Sequence, residues 1–155
     1  MVKFEISVHI KRPVAEVFEY LNDPAKMPEW NSTLEEATPS ETPVKVGTRI
    51  RLRARMLGRK IEGTTEVVEY EPNKRVVHRL DRPFPVKSIT TFQAENGGTR
   101  LVGASEGQPG GFFKLGEPIL ARIVKKQLQA QFETAKEILE AQGPAETYPT
   151  SLGDG

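Results

Sequence analysis

The sequence predicts an α+β domain: a curved antiparallel sheet of about seven strands wrapped around a long C-terminal helix, with two short helices after the first strand. Three observations carry that expectation. Residues 2–11 alternate strictly, with Val2, Phe4, Ile6, Val8 and Ile10 against Lys3, Glu5, Ser7, His9 and Lys11, which is the period of a half-buried strand. Residues 48–106 read as successive alternating segments separated by turn residues. Near the C-terminus, Leu120, Val124, Leu128, Phe132, Ala135 and Leu139 recur at helical spacing, with Ile123 and Ile138 widening the stripe. That pattern needs an amphipathic helix of roughly 25 residues, about 37 Å long.

The elements follow in order. Pro13 ends the first strand and suits the first turn of a helix. Val14, Val17, Phe18 and Leu21 give that helix its apolar face, and Asn22-Asp23-Pro24 stops it. A second short helical segment runs from Ala25 to Trp30 and is interrupted by Pro28. Residues 37–46, rich in Thr, Pro and Glu, give a weak strand and a loop. The strands beyond are punctuated at Leu57-Gly58, Pro72-Asn73, Pro83-Phe84-Pro85 and Asn96-Gly97, the last a strong two-residue hairpin signal. A Gly-rich link, residues 107–116, leads to the long helix, which Gly143-Pro144 ends. One domain, 1–143, and a disordered tail, 144–155, are expected. A straight helix cannot touch a curved sheet along its whole length, so this arrangement leaves a cavity between the two.

Composition excludes several classes of function. Lys and Arg total 22 against 21 Asp and Glu, so the chain lacks the charge excess of a nucleic-acid binder. It has no cysteine and two histidines, which removes thiol nucleophiles, disulfides and cysteine- or histidine-rich metal sites. No cofactor is expected. No apolar run approaches the roughly 20 residues of a membrane span, and the N-terminus alternates where a signal peptide would be continuously apolar. The expectation is a cytoplasmic protein, monomer or homodimer, without membrane insertion or nucleic-acid partners.

Residues 13–21, Pro-Val-Ala-Glu-Val-Phe-Glu-Tyr-Leu, followed by Asp23 and Met27-Pro28-Glu29-Trp30, resemble the opening of the polyketide cyclase/dehydrase (SRPBCC) family of the START-like, Bet v 1-like superfamily. Gly97-Gly98-Thr99-Arg100-Leu101 resembles that family's last hairpin, and Ala135-Lys136-Glu137-Ile138-Leu139-Glu140 its helix ending. The resemblance spans about residues 3–142. It implies the helix-grip fold, one cavity and a hydrophobic ligand such as a lipid, a polyketide or another aromatic or isoprenoid-like molecule. It implies no single activity, and no motif transfers a catalytic residue.

Strand parity sorts the candidates by face. Ile50, Leu52, Ala54 and Met56 share one face of their strand, and Arg49, Arg51, Arg53 and Arg55 the other. A turn at Leu57-Gly58 sets Arg53 opposite Glu62 and Arg49 opposite Glu66. A turn at Pro72-Asn73 sets Arg79 opposite Glu66. The arginines therefore belong to a solvated, ion-paired outer face; no aromatic residues alternate with them as a nucleic-acid platform requires. On the inner face Thr65, Val67, Val76, His78 and Leu80 join Ile50, Leu52, Ala54 and Met56. His78 is either a neutral core histidine or the polar group that orients a ligand. His9 has outward parity and no expected role. With a turn at Asn96-Gly97, Phe92 pairs with Leu101, Thr90 with Gly103 and Ser88 with Ser105, and the Phe92 side is the favoured inner one. Met27 and Trp30 on one side, and Phe112 and Phe113 on the other, either plug the ends of the core or rim a cavity mouth. Ile123 and Gln127 represent the helix; Gln127 either caps the cavity or faces water.

Three functions follow. The first is a binding module for a small hydrophobic molecule. The second is a cyclase- or dehydratase-type enzyme with His78 as general acid or base. The third is a protein-interaction module.

Overall fold

In the structure, a computed structural model that describes residues 2–56, 58–82, 85–108 and 116–142, the alternating N-terminus forms β1, Val2–Ile10. Pro13 precedes α1, Val14–Leu21, and Glu16 lies in its first turn, where a carboxylate complements the helix dipole. Val17, Phe18, Tyr20 and Leu21 are its buried residues. Asn22 ends the helix, its Nδ2 donating to the Phe18 carbonyl at 2.9 Å. A 3-10 turn, Pro24–Lys26, is capped by the Asp23 carboxylate, which accepts from Ala25 N–H. It leads into α2, Met27–Trp30. Pro28 opens α2 where it was expected to interrupt a helix, because a missing N–H costs nothing in a first turn.

The remaining strands are β2 (Leu34–Pro39), β3 (Arg49–Met56), β4 (Arg59–Glu71), β5 (Arg75–Leu80), β6 (Val86–Glu95) and β7 (Gly98–Gly107). They form one seven-stranded, curved antiparallel sheet in the order β1-β7-β6-β5-β4-β3-β2. Asn96 and Gly97 have φ of 48° and 75°, the left-handed pair that a two-residue hairpin matching strand twist demands. Beyond Val67 the β4–β5 register slips by one residue, from Val67↔His78 to Glu69↔Val77. The unpaired residue bends β4; Val76 and Val77 are both fully buried, and Val76 is the one that joins the main core, as parity expects.

The expected pairings are present: Arg49↔Glu66 and Arg53↔Glu62, Glu66↔Arg79, and Phe92↔Leu101 with Thr90↔Gly103 and Ser88↔Ser105. On the outer face the Glu66 carboxylate meets Arg49 at 3.9 Å and Arg79 at 3.4 Å. Arg53 faces Glu62 in register, but its guanidinium pairs with Glu35 and Glu36 of β2. These groups are half exposed, so Glu66→Gln should lower stability by less than about 1 kcal/mol. Urea unfolding at low and at molar salt checks this: the difference should vanish as salt screens the ladder.

The last helix, α3, spans Glu117–Gln142, about 39 Å at 1.5 Å per residue. Phe132, Ala135 and Leu139 sink into the main core with Ile6, Ile10, Val17, Ile50, Val67 and Leu101. Leu120 forms a satellite cluster with Phe4, Ile61, Ala121 and Val124. Lys136 Nζ fastens the far end, donating to the His9 carbonyl at 2.6 Å and to Glu140 at 2.7 Å. Lys11 N–H donates to the same carboxylate at 2.8 Å. The bonds from Lys136 and Lys11 hold the Glu140 carboxyl below its ordinary pKa. No helix among the described residues is long and apolar enough to cross a membrane. The expected tail, 144–155, lies outside the described residues.

Candidate functional site

The curvature that lets the sheet grip α3 also keeps its middle from closing on the helix. A cavity of about 260 Å³ remains between the inner faces of β3–β7, the α1–α2 connection and the middle of α3. A hollow of about 530 Å³ on the outer face is larger, but Arg49, Arg51, Arg53, Glu36, Glu62 and Asp81 line it. Alternating exposed charges of that kind make a solvated surface. The inner cavity has the chemistry of a ligand site: an apolar wall with a few polar groups.

Its walls follow from strand parity. β3 contributes Ile50 and Leu52, β4 Thr65, β5 His78 and Leu80, and β6 Val86, Ser88, Thr90 and Phe92. β7 contributes Gly103, where an added Cβ would lie 2.8 Å from the Phe132 ring. Only a residue without a side chain lets that ring descend onto the sheet. Leu128, Gln131 and Phe132 form the helical wall, and Leu21, Asn22, Met27, Trp30 and Asn31 the end formed by α1 and α2. Trp30 stacks edge-on against Phe132, centroids 6.2 Å apart, and its Nε1 is buried without a hydrogen-bond partner among the described residues.

The polar groups fall into two sets. Thr65 Oγ1 donates to the Arg79 carbonyl at 3.3 Å, Asn22 caps α1, and Asn31 Oδ1 accepts from Thr33 Oγ1 at 2.7 Å. The side chains of His78, Ser88, Thr90 and Gln131 have no hydrogen-bond partner among the described residues. His78 and Ser88 face each other across the β5–β6 ladder, and Thr90 is the next inward residue of β6. Burial lowers the His78 pKa to about 4, because an apolar surround penalises the charged ring. The imidazole is therefore neutral at physiological pH. The surface that His78 keeps opens into the cavity. No Lys, Arg, Asp or Glu is among the described lining residues.

Of the residues singled out from sequence, Met27, Trp30, Thr65, His78, Thr90 and Phe92 meet at this cavity. Ile123 and Gln127 do not line it. The early turns of α3 pack through Leu120 and Val124 on Phe4 and Ile61, and the helix reaches the cavity through Leu128, Gln131 and Phe132. Gln131 supplies the helical amide instead of Gln127, and it is 8% exposed. Its position was legible: it stands three residues after Leu128 and four before Ala135, inside the apolar stripe. Phe112, Phe113 and the side chain of Met56 lie outside the described residues. His9 stands apart, its Nε2 bonded to the Glu95 carbonyl at 2.9 Å.

Solved structures share this architecture. A START superfamily protein from Mycobacterium smegmatis aligns with a TM-score of 0.74 at 13% identity, over 90% of this chain and 98% of that one. TTHA0849 from Thermus thermophilus gives 0.73 at 18% identity, over 92% and 99%. Ara h 8.0201 gives 0.69 at 15% identity, over 90% and 97%. At these identities the likeness is one of fold. No curated protein matches the chain by sequence. The family model described as polyketide cyclase / dehydrase and lipid transport matches residues 1–140. With the helix-grip architecture and its cavity in place, the chain belongs to the polyketide cyclase / dehydrase and lipid transport family.

Proposed function

We propose that this protein binds a small hydrophobic molecule in the cavity between its sheet and α3, as a cytoplasmic carrier or sensor. The observation that carries the reading is the lining: a mostly apolar wall with a few unused neutral polar groups and no charged side chain among the described residues. Burial of apolar ligand surface there is worth about 25 cal/mol per Å² before the costs of association. The description of the family, which includes lipid transport, supports it. Native mass spectrometry of the purified protein should show a bound small molecule. Thr90→Trp, which fills the cavity from the sheet side, should release it and leave the fold intact by circular dichroism. A ligand retained in full by Thr90→Trp would place binding elsewhere.

A second reading is a cyclase- or dehydratase-type enzyme. Its support is His78, the one titratable side chain among the described lining residues, uncharged and free to take a proton. A base with a pKa near 4 is poorly matched to neutral pH, and no second titratable group among those residues shares the work. Binding is the reading the geometry favours.

A further inference from the structure

Resting on that reading, we infer that the ligand is compact and uncharged, with an apolar body of roughly ten non-hydrogen atoms and one hydroxyl or carbonyl group held between His78 and Gln131. Size comes from volume. A buried apolar cavity of about 150 Å³ takes a benzene ring, so 260 Å³ scales to roughly ten non-hydrogen atoms. A four-ring sterol or a long acyl chain would not fit wholly inside that space.

Charge comes from the lining. A carboxylate or phosphate in the cavity would meet no cation, and an ammonium no anion, since every described lining polar group is neutral. Burying an unpaired ion is far costlier than burying a hydroxyl that finds a partner. The polar groups that await a ligand are His78, Ser88 and Thr90 on the sheet, Trp30 Nε1 on α2 and the Gln131 amide on α3. Trp30 Nε1 is buried without a partner among the described residues, a cost that a ligand oxygen removes, and the Gln131 amide, 8% exposed, is the polar group that α3 turns toward the same space. Thr65, Asn22 and Asn31 already have partners in the chain, so the site offers one polar cluster, not a polar wall.

A matched set of probes tests this: decalin, 2-decalol, decalin-2-carboxylate and cholesterol. The readouts are emission from Trp30, the single tryptophan, and the rise in melting temperature. The expected order is 2-decalol first, decalin several-fold weaker, the carboxylate at least about tenfold weaker than the alcohol near pH 8, and no saturable binding of cholesterol. Gln131→Leu, which suits the apolar stripe, should weaken 2-decalol to the level of decalin and leave decalin unchanged. Carboxylate binding as tight as the alcohol, or tight cholesterol binding, would overturn the inference and leave the cavity-binding reading standing. Failure of all four probes would overturn both.

Discussion

Phe132→Ala should lower the unfolding free energy by about 3–5 kcal/mol, the range for removing a buried aromatic ring. Phe132 is 3% exposed. One edge of its ring fills the space left by Gly103, and the ring packs on Trp30. It is therefore both a core residue and the wedge that limits the cavity. Its loss should also widen the cavity, so the truncated protein should accept larger apolar ligands than the parent. Urea unfolding measures the first effect, and Trp30 emission in the presence of a graded ligand series the second. Phe132→Leu, with an expected loss of about 1–2 kcal/mol, keeps the test open if the alanine variant does not fold. A loss below about 1 kcal/mol for the alanine variant would mean that the ring does not carry the helix–sheet contact.

The second large effect is acid destabilisation through His78. In the unfolded chain the ring titrates near its ordinary 6.5, and in the folded protein only near 4. Between those values only the unfolded chain takes up the proton, so falling pH draws the equilibrium toward unfolding. The stability at stake is fully present above about pH 6.5 and is lost as pH falls to about 4. It amounts to roughly 3 kcal/mol. Glu140 acts in the same direction. Its lowered pKa favours the folded state while the carboxylate is charged, and that contribution also fades as pH falls through the carboxylate range. The discriminating quantity is therefore a difference between proteins. Urea unfolding of the parent and of His78→Leu, from neutral pH down to about 4, should give curves that diverge as acid is added, with the variant losing less. Parallel curves would show that the ring gains no protection from protons on folding.

Local periodicity determined most of this fold. Alternation in residues 2–10, the Asn96-Gly97 turn and the spacing from Leu120 to Leu139 each encode an element through contacts made within or next to it. Because hairpin registers follow from turn positions, the inward set of Thr65, His78, Thr90 and Phe92 was legible before any coordinates. So was the outward Arg49–Glu66–Arg79 ladder. Three-dimensional packing alone decided the rest. The slip after Val67 is a bulge that bends β4, set by how the strands meet across the sheet. Which residues of α3 face the hollow depends on how the helix lies across the sheet, where Leu120 and Val124 meet Phe4 and Ile61, residues distant in sequence. That placement puts Gln131 in the cavity and leaves Gln127 and Ile123 off it. Parity and helical spacing describe one element at a time, whereas the volume and polarity of a hollow are properties of several surfaces meeting across a gap.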